Sequence, residues 1–388
     1  MSEHKIEPEV DLTLPNQRHL FEIPDDVVYL NCASLAPQML SVRAAGEAAM
    51  SRNAQPWKIQ ARDWFTQVEE LRALFAQIIK ADAEGVALIP ATSYGLSVAA
   101  VNVEAKPHDR ILLIAEDFPS TVYTWRAFAK QSGAEIVTAE RGKGESWTDA
   151  ILKRFDERVK VVSVPNVHWT NGALIDLKRI GQRAREVGAT FVVDATQSLG
   201  AMPTDVEELR PDFLVTAGYK WLLGPFSLGY MYVDSAHRDG KPIEQNWILR
   251  ADSEDFSRTD YRDEYQPGAR RFDVGEQSNL TLTPMAIAAL KQLLEWDIAR
   301  ITSTLSKVTA SIERRADGLG LRVVAAGQRG PHMLGIEAPG ESLQHVAARL
   351  EEQNIYVGIR GSSMRISPHL YVTESDLDRF FNLLTTAL

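Results

Sequence analysis

The chain has 388 residues, of which 45% are hydrophobic and 24% charged, and its formal net charge is −10. That length can bury one large core and a second, smaller one, and the acidic balance argues against nucleic acid or an anionic membrane as the main partner. A single cysteine, Cys32, excludes an intrachain disulfide and a thiolate metal cluster, so no metal site is expected.

The first ten residues, "MSEHKIEPEV", contain no apolar signal core, and a cytoplasmic protein is expected. Trp64, Val68, Leu71, Phe75 and Ile78 then recur at alternating steps of four and three, the spacing of an amphipathic helix. Short apolar, β-branched runs follow at "VALIP" 86–90, "RILLIA" 110–115, "EIVTA" 135–139, "VKVVSV" 159–164, "TFVVDA" 190–195, "FLVTA" 213–217 and "GYMYV" 229–233. Helix-compatible stretches such as 177–187 separate most of them, which predicts a mainly parallel sheet covered on both faces. The two longest apolar stretches, 86–103 and 213–233, are broken by Pro90, Gly95 and Pro225. Such breaks suit buried strand–loop–helix turns rather than membrane spans.

Past Gly275 the texture changes. Pro284 can open a helix at its first position, and Leu294, Ile298, Ile301, Leu305 and Val308 hold one face of a single long helix. Strand-like "LRVVAA" 321–326, "HMLGIEA" 332–338, "IYVGIRG" 355–361 and "SMRIS" 363–367 follow, with helices near 341–353 and 374–388. The expected division is an N-terminal arm over 1–26 packing with the small domain, a large cofactor-binding domain over 27–280, and a small α+β domain over 281–388.

Two stretches bear chemistry. In "FVVDATQSLG" Asp194 stands where a buried strand ends, and in "FLVTAGYKWLLGP" Lys220 follows the next strand as the lone charge of an apolar run. Ligands of open α/β sheets bind beyond the carboxyl ends of the strands, so the two side chains can meet there. One reading is an ordinary ion pair. The other is a pyridoxal phosphate site, in which the lysine amine forms a Schiff base and the carboxylate keeps the ring nitrogen protonated. Thr92, Ser93 and Gly95 in "IPATSYGLSVAA" fall at a strand-to-helix turn, where they can serve as plain caps or cradle a phosphate.

In combination the motifs "ATSYGLS", "EDFPSTVYTW", "VPNVHWTNGALIDL", "VVDATQSLG", "AGYKWLLGP", "RRFDVGEQSN" and "MRISPHLY" give a sequence that resembles the class V aminotransferase group of pyridoxal-phosphate enzymes. That group includes cysteine desulfurases, kynureninase and isopenicillin-N-epimerase-like proteins. The resemblance implies the fold-type I architecture: an α/β large domain with a mainly parallel seven-stranded sheet, plus a smaller C-terminal α+β domain. It implies pyridoxal 5′-phosphate as cofactor, an amino acid and a 2-oxo acid as substrates, and a homodimer with a shared active site.

Residue by residue, the resemblance gives Lys220 the internal aldimine and the shuttling of the Cα proton. Asp194 pairs with the pyridine nitrogen, Gln197 with the ring's phenolic oxygen, and Phe118 lies against the cofactor face. Thr92, Ser93 and Tyr219 attend the phosphate, and Gly275 and Glu276 match a loop reaching the partner subunit's phosphate, where many relatives have threonine instead of Glu276. Asn166 is placed near the ring oxygen or the substrate carboxylate, and Arg365 grips that carboxylate, for which a planar guanidinium is suited. His168 is a further candidate on the cofactor side or a structural histidine, Trp169 and Trp221 are core or pocket-wall aromatics, and Arg360 is structural or reads a second anionic group. Residues 338–365 lack the cysteine a desulfurase needs, and a phenyl ring at 118 carries no proton. An aminotransferase is therefore expected, with a lyase or epimerase as the alternative and a degenerate cofactor-binding assembly protein as the non-enzyme alternative. A nicotinamide dehydrogenase would need a G-x-G-x-x-G turn, which "ATSYGLS" does not provide.

Overall fold

A computed structural model describes residues 12–338 and 342–387. Residues 1–11 of the expected N-terminal arm, residues 339–341 and residue 388 lie outside the described residues. In chain order the strands are β1 (Val28–Tyr29), β2 (Val86–Ile89), β3 (Arg110–Ile114), β4 (Glu135–Ala139), β5 (Val159–Pro165), β6 (Thr190–Asp194), β7 (Phe213–Ala217), β8 (Gly229–Val233), β9 (Arg322–Val323), β10 (Leu334–Glu337), β11 (Ile355–Tyr356), β12 (Gly358–Arg360) and β13 (Ser363–Ile366). The helices are α1 (Leu40–Asn53), α2 (Thr66–Ile79), α3 (Thr92–Val101), α4 (Pro119–Ser132), α5 (Trp147–Leu152), α6 (Leu177–Val187), α7 (Val206–Leu209), α8 (Leu282–Trp296), α9 (Ile298–Gly318), α10 (Leu343–Glu351) and α11 (Glu374–Ala387).

The large sheet runs β2-β8-β7-β6-β5-β3-β4. From β7 to β4 its neighbours are parallel, whereas β8 is antiparallel to both β7 and β2. Strands β2, β7 and β8 are buried at every residue, so they read as unbroken apolar runs rather than alternating ones. The crossover helices carry explicit start and stop signals. Asp176 accepts hydrogen bonds from Lys178 N and Arg179 N to open α6, and Gly188, at φ +67°, closes it in the left-handed conformation. Pro119 opens α4 and Gly133 closes it. Among the described residues no helix is long and apolar enough to cross a membrane.

The smaller sheet has the order β12-β13-β10-β9 and is antiparallel throughout. The "IYVGIRG" run divides at Val357: β11 pairs in parallel with β1, whereas β12 pairs with β13. The N-terminal stretch is bound to the same part of the molecule. Asn16 Nδ2 donates to Val372 O, Gln17 N donates to Leu370 O, and Arg18 forms an ion pair with Asp376.

The single long helix expected after Gly275 is two. Asp297 stands between α8 and α9 at φ +66°, turning the chain, and its carboxylate caps α9 through Ala299 N and Arg300 N. Cap formation and the turn together outweigh the continuous apolar face that favoured one helix. Pro284 is the third residue of α8 instead of the first, a position where its missing N–H still deprives no intrahelical bond. Helix α8 packs across α1 and α2, and "LRVVAA" keeps only two strand residues before a 3-10 turn over Ala326–Gln328.

Candidate active site

Lys220 stands three residues beyond β7, 6% exposed, in a pocket lined by Thr92, Asp117, Phe118, Pro165, Val167, Trp169, Asp194, Thr196, Gln197, Ala217 and Tyr219. The pocket opens at the carboxyl ends of β5, β6 and β7, where an open α/β sheet offers free backbone groups. Burial lowers the Lys220 amine to about 8, with Asp194 opposing the shift and Arg365 and Arg360 adding to it. Its Nζ lies 5.5 Å from the Phe118 ring centroid and 5.7 Å from that of Tyr219. An amine in this setting is readily neutral and nucleophilic.

Asp194 ends β6, and burial pushes its carboxyl up against hydrogen bonds from Thr196; Thr196 N donates to Oδ1 at 2.9 Å. Thr196 was not singled out from the sequence, yet it joins three elements. Its Oγ1 accepts from Ala217 N at 3.2 Å and lies 3.3 Å from Thr92 Oγ1. Gln197 uses both ends of its amide, donating from Nε2 to Ala33 O and accepting at Oε1 from Trp221 Nε1, which leaves one N–H of the amide for a ligand.

Helix α3 begins at this pocket, and its N-cap is Ala91, which provides no side-chain cap. Thr92 and Ser93 are therefore not plain caps: they lie in the first turn, where backbone N–H groups lack intrahelical acceptors and the helix dipole favours an anion. Gly95 lets this helix approach the sheet, since a Cβ there would stand 2.6 Å from Val215 Cγ1 and 2.9 Å from Ile89 Cδ1. A buried neutralisable lysine, a buried carboxylate and an uncapped helix N-terminus together fit the pyridoxal phosphate expected from the sequence.

Phe118 caps α4, and its ring meets Trp169 edge-on at 5.6 Å, so the two form one aromatic wall. Beside it Asp117 was missed. Its Oδ1 accepts from Phe118 N, its Oδ2 is buried with no partner, and burial pushes the carboxyl up to about 8. An acid three residues past a buried strand and just before the aromatic is the available signal. Tyr219 packs on Phe226 at 4.6 Å, and burial raises its phenol.

Asn166 and His168 do not join this pocket. At and beyond the end of β5 the side chains divide between two cavities. Pro165, Val167 and Trp169 line the Lys220 pocket, whereas Asn166 faces a separate cavity of about 440 Å³ and donates from Nδ2 to Ile175 O. His168 stacks on Trp147 with ring centroids 5.1 Å apart, its Nδ1 lies 2.8 Å from Thr170 Oγ1, and burial lowers it to about 4. It is a neutral core residue. Gly275 and Glu276 also lie outside the pocket. Gly275 N donates to the Glu244 carboxylate, and Glu276 takes a left-handed turn at φ +63°.

Arg365 is 1% exposed, and its register places it between Gly335 of β10 and Gly358 of β12. Gly358 is required by that packing, because a Cβ would stand 2.9 Å from Asn31 Oδ1 and 3.4 Å from Arg365 Nη2. The guanidinium donates to Trp169 O and Asn31 Oδ1, and its Nε has no partner among the described residues. Burial, reinforced by Arg360, lowers it to about 9. Cys32 is fully buried nearby, and burial pushes its thiol well up, so it is held as an inert thiol.

Comparison with known proteins agrees with this geometry. The model of the family "Aminotransferase class-V" matches residues 42–380, so the chain belongs to that family. It is 27% identical to the uncharacterized aminotransferase YcbU of Bacillus subtilis over 80% of this chain and 81% of that one. It is 29% identical to the kynureninase of Deinococcus radiodurans over 71% of this chain and 68% of that one. Among solved structures, the apo cysteine desulfurase of Thermococcus onnurineus NA1 superposes with a TM-score of 0.84 at 21% identity, covering 100% of this chain and 99% of that one. The cystine C-S lyase C-DES, in complex with cysteine persulfide, also gives a TM-score of 0.84, at 17% identity over 92% of this chain and 97% of that one. The fold-type I architecture follows from these superpositions.

Proposed function

We propose that this chain is an aminotransferase that works on a carboxylate-bearing amino acid with pyridoxal phosphate as its cofactor and a 2-oxo acid as second substrate. The observation that carries the reading is the buried Lys220, its amine lowered to about 8, between Asp194 and Arg365. When bound, the cofactor supplies an electron sink conjugated to the substrate's Cα. Asp194, buried at the end of β6, places a negative charge that retains a proton on the ring nitrogen. Arg365 orients the substrate by its carboxylate, and Phe118 and Trp169 exclude water from one side. With the cofactor bound, Lys220 Nζ would take the substrate's Cα proton and deliver it to the cofactor carbon on the far side of the shared nitrogen, a 1,3-shift that one base on one face can perform.

Two features favour this reading over the desulfurase and lyase activities of some relatives. The lone thiol, Cys32, is buried and held protonated, and the ring at 118 is a phenyl with no proton to give a leaving group. The family resemblance supports a homodimer, with Gly275 and Glu276 directed to the partner's site.

The test is a panel of amino acids given to purified protein with and without pyruvate or 2-oxoglutarate. A new amino acid formed only when the oxo acid is present is the expected result. Release of ammonia or of a side-chain fragment without an oxo acid overturns transamination in favour of elimination. Lys220→Ala should remove the bound cofactor's visible absorption and lower turnover by at least about 10³-fold; unchanged absorption overturns the cofactor assignment.

A further inference from the structure

Arg365 differs from the other well-buried arginines of the molecule, and the half-buried Arg360 beside it shares the difference. Arg18, Arg72, Arg270 and Arg329 each hold a carboxylate, at 3.0, 2.7, 2.7 and 2.9 Å. Arg360 and Arg365 hold none among the described residues. Arg360 donates to Ile359 O, and Arg365 donates only to Trp169 O and to the Asn31 amide oxygen. A guanidinium removed from water without a counter-ion is costly, and two side by side repel one another.

The register brings them together. In the antiparallel pair β12–β13, Gly358 lies opposite Arg365 and Arg360 opposite Ser363, so both arginines project from the same face, two positions apart. Both converge on Trp169. Arg365 bonds its carbonyl oxygen, and the Arg360 guanidinium lies over its ring, 5.7 Å from the centroid. Trp169 in turn meets Phe118 and lines the Lys220 pocket. From Lys220 outward there is thus one aromatic wall with two unneutralised cations at its rim. Both cations are close enough to disfavour the charged form of Lys220.

We infer that Arg360 is a second anion-binding residue, so that the preferred substrate is an amino acid with a second acidic group, its α-carboxylate on Arg365 and its distal carboxylate on Arg360. The inference rests on the proposed function, because it assumes that an amino acid occupies this pocket. One arginine suffices for an α-carboxylate, and a second of the same sign, aimed at the same tryptophan, has no counter-charge among the described residues. A dianionic substrate neutralises both. The partly exposed Arg360 then marks the outer end of the substrate, and a neutral or basic side chain leaves it unpaired.

The test uses cofactor-loaded enzyme and acids without an amino group, which bind but cannot turn over. Succinate, glutarate and adipate are titrated against butyrate by calorimetry. The best diacid should bind about 10- to 100-fold more tightly than butyrate, the range for a hydrogen bond between charged groups. Arg360→Gln should collapse that ratio to near one, Arg360→Lys should recover part of it, and Arg365→Gln should weaken both classes of acid. Diacids and butyrate binding alike to the wild type would overturn the inference. So would an equal loss of both classes in Arg360→Gln, since that pattern marks a support for Arg365 and not a contact. The visible absorption of the cofactor and the melting temperature of each variant confirm a folded, loaded protein. Failure of the wild type to load cofactor would instead strike the proposed function, and is read before any acid is added.

Discussion

The molecule buries charge in two ways. At Arg72 and Asp273 both side chains are fully inaccessible, and everything is satisfied. Arg72 Nη2 lies 2.7 Å from Asp273 Oδ2, Arg72 Nε donates to Glu69, and Asp273 Oδ1 accepts from Leu88 N at 2.6 Å. This pair ties α2, the edge strand β2 and the loop before Gly275 to one another. At the Lys220 pocket the charges are nearly as buried but are left short of partners: Arg365 Nε and Asp117 Oδ2 have none. Burial holds the Lys220 amine and the Arg365 guanidinium below their ordinary values. Satisfied buried charge holds a fold in register, whereas unsatisfied buried charge is an expense that a ligand offsets.

That contrast is open to direct attack. The largest expected effect on stability is at the satisfied pair. Asp273→Ala leaves the buried Arg72 charge with only the partly exposed Glu69 as counter-ion, and should cost about 3–5 kcal/mol in chemical denaturation. Replacing both partners, Arg72→Met with Asp273→Leu, should recover much of that loss. If Asp273→Ala costs no more than a surface substitution, the pair is not holding these elements together.

Next comes the pH dependence at the pocket. Asp117 sits at about 8 in the folded chain, well above an unfolded aspartate near 3.9. The folded state therefore holds a proton that the unfolded state releases. The stability this contributes is complete below about pH 4 and is lost as the pH rises toward about 8. Lys220 does not confuse that window. Its amine is lowered, so its contribution is present above about pH 10.4 and is lost as the pH falls toward about 8. The wild type should lose stability between pH 5 and pH 8 relative to Asp117→Asn, which carries no titrating proton. Parallel curves for the two proteins would mean that Asp117 is solvated after all.

A smaller effect is expected at Gly358. Gly358→Ala brings a Cβ against Asn31 Oδ1 and the Arg365 guanidinium. It should raise KM for carboxylate substrates by about tenfold, with kcat less affected and cofactor binding unchanged. Equal loss of cofactor would show that the glycine serves the fold more widely.

What the sequence made legible follows the same division. Strands β7 and β8 are buried at every residue, so the runs "FLVTA" and "GYMYV" coincide with them at both ends. Helix α6 likewise matches 177–187, because Asp176 and Gly188 are local signals. Asp297 misled for the opposite reason. Within a helical face an aspartate reads as a tolerated exposed residue, and its left-handed backbone depends on how α8 and α9 pack. At the site, Asp194 and Lys220 were legible because strand ends are. The family resemblance places Asn166 near the cofactor, and His168 is a candidate because it follows a strand end, whereas Pro165, Val167 and Trp169 are the residues of this stretch that line the Lys220 pocket. The convergence of Arg360 and Arg365 on Trp169 needs the pairing of β12 with β13, which strand composition does not specify.

The smallest effect should come from an ion pair that matches the buried one in distance but not in setting. Arg183 Nη1 lies 2.8 Å from Glu186 Oε2 on α6, almost the separation found between Arg72 and Asp273, but with 39% and 48% of the two side chains exposed. Water already solvates both groups, and holding two long side chains in one geometry costs entropy that cancels most of the attraction. Arg183→Ala should therefore leave the melting temperature within about 1 °C of the wild type. A drop like that of Asp273→Ala would mean that contact distance, not burial, sets the value of an ion pair here. The reading of Arg365 as a buried cation short of a partner would then lose its physical basis, since it depends on burial making an absent partner costly.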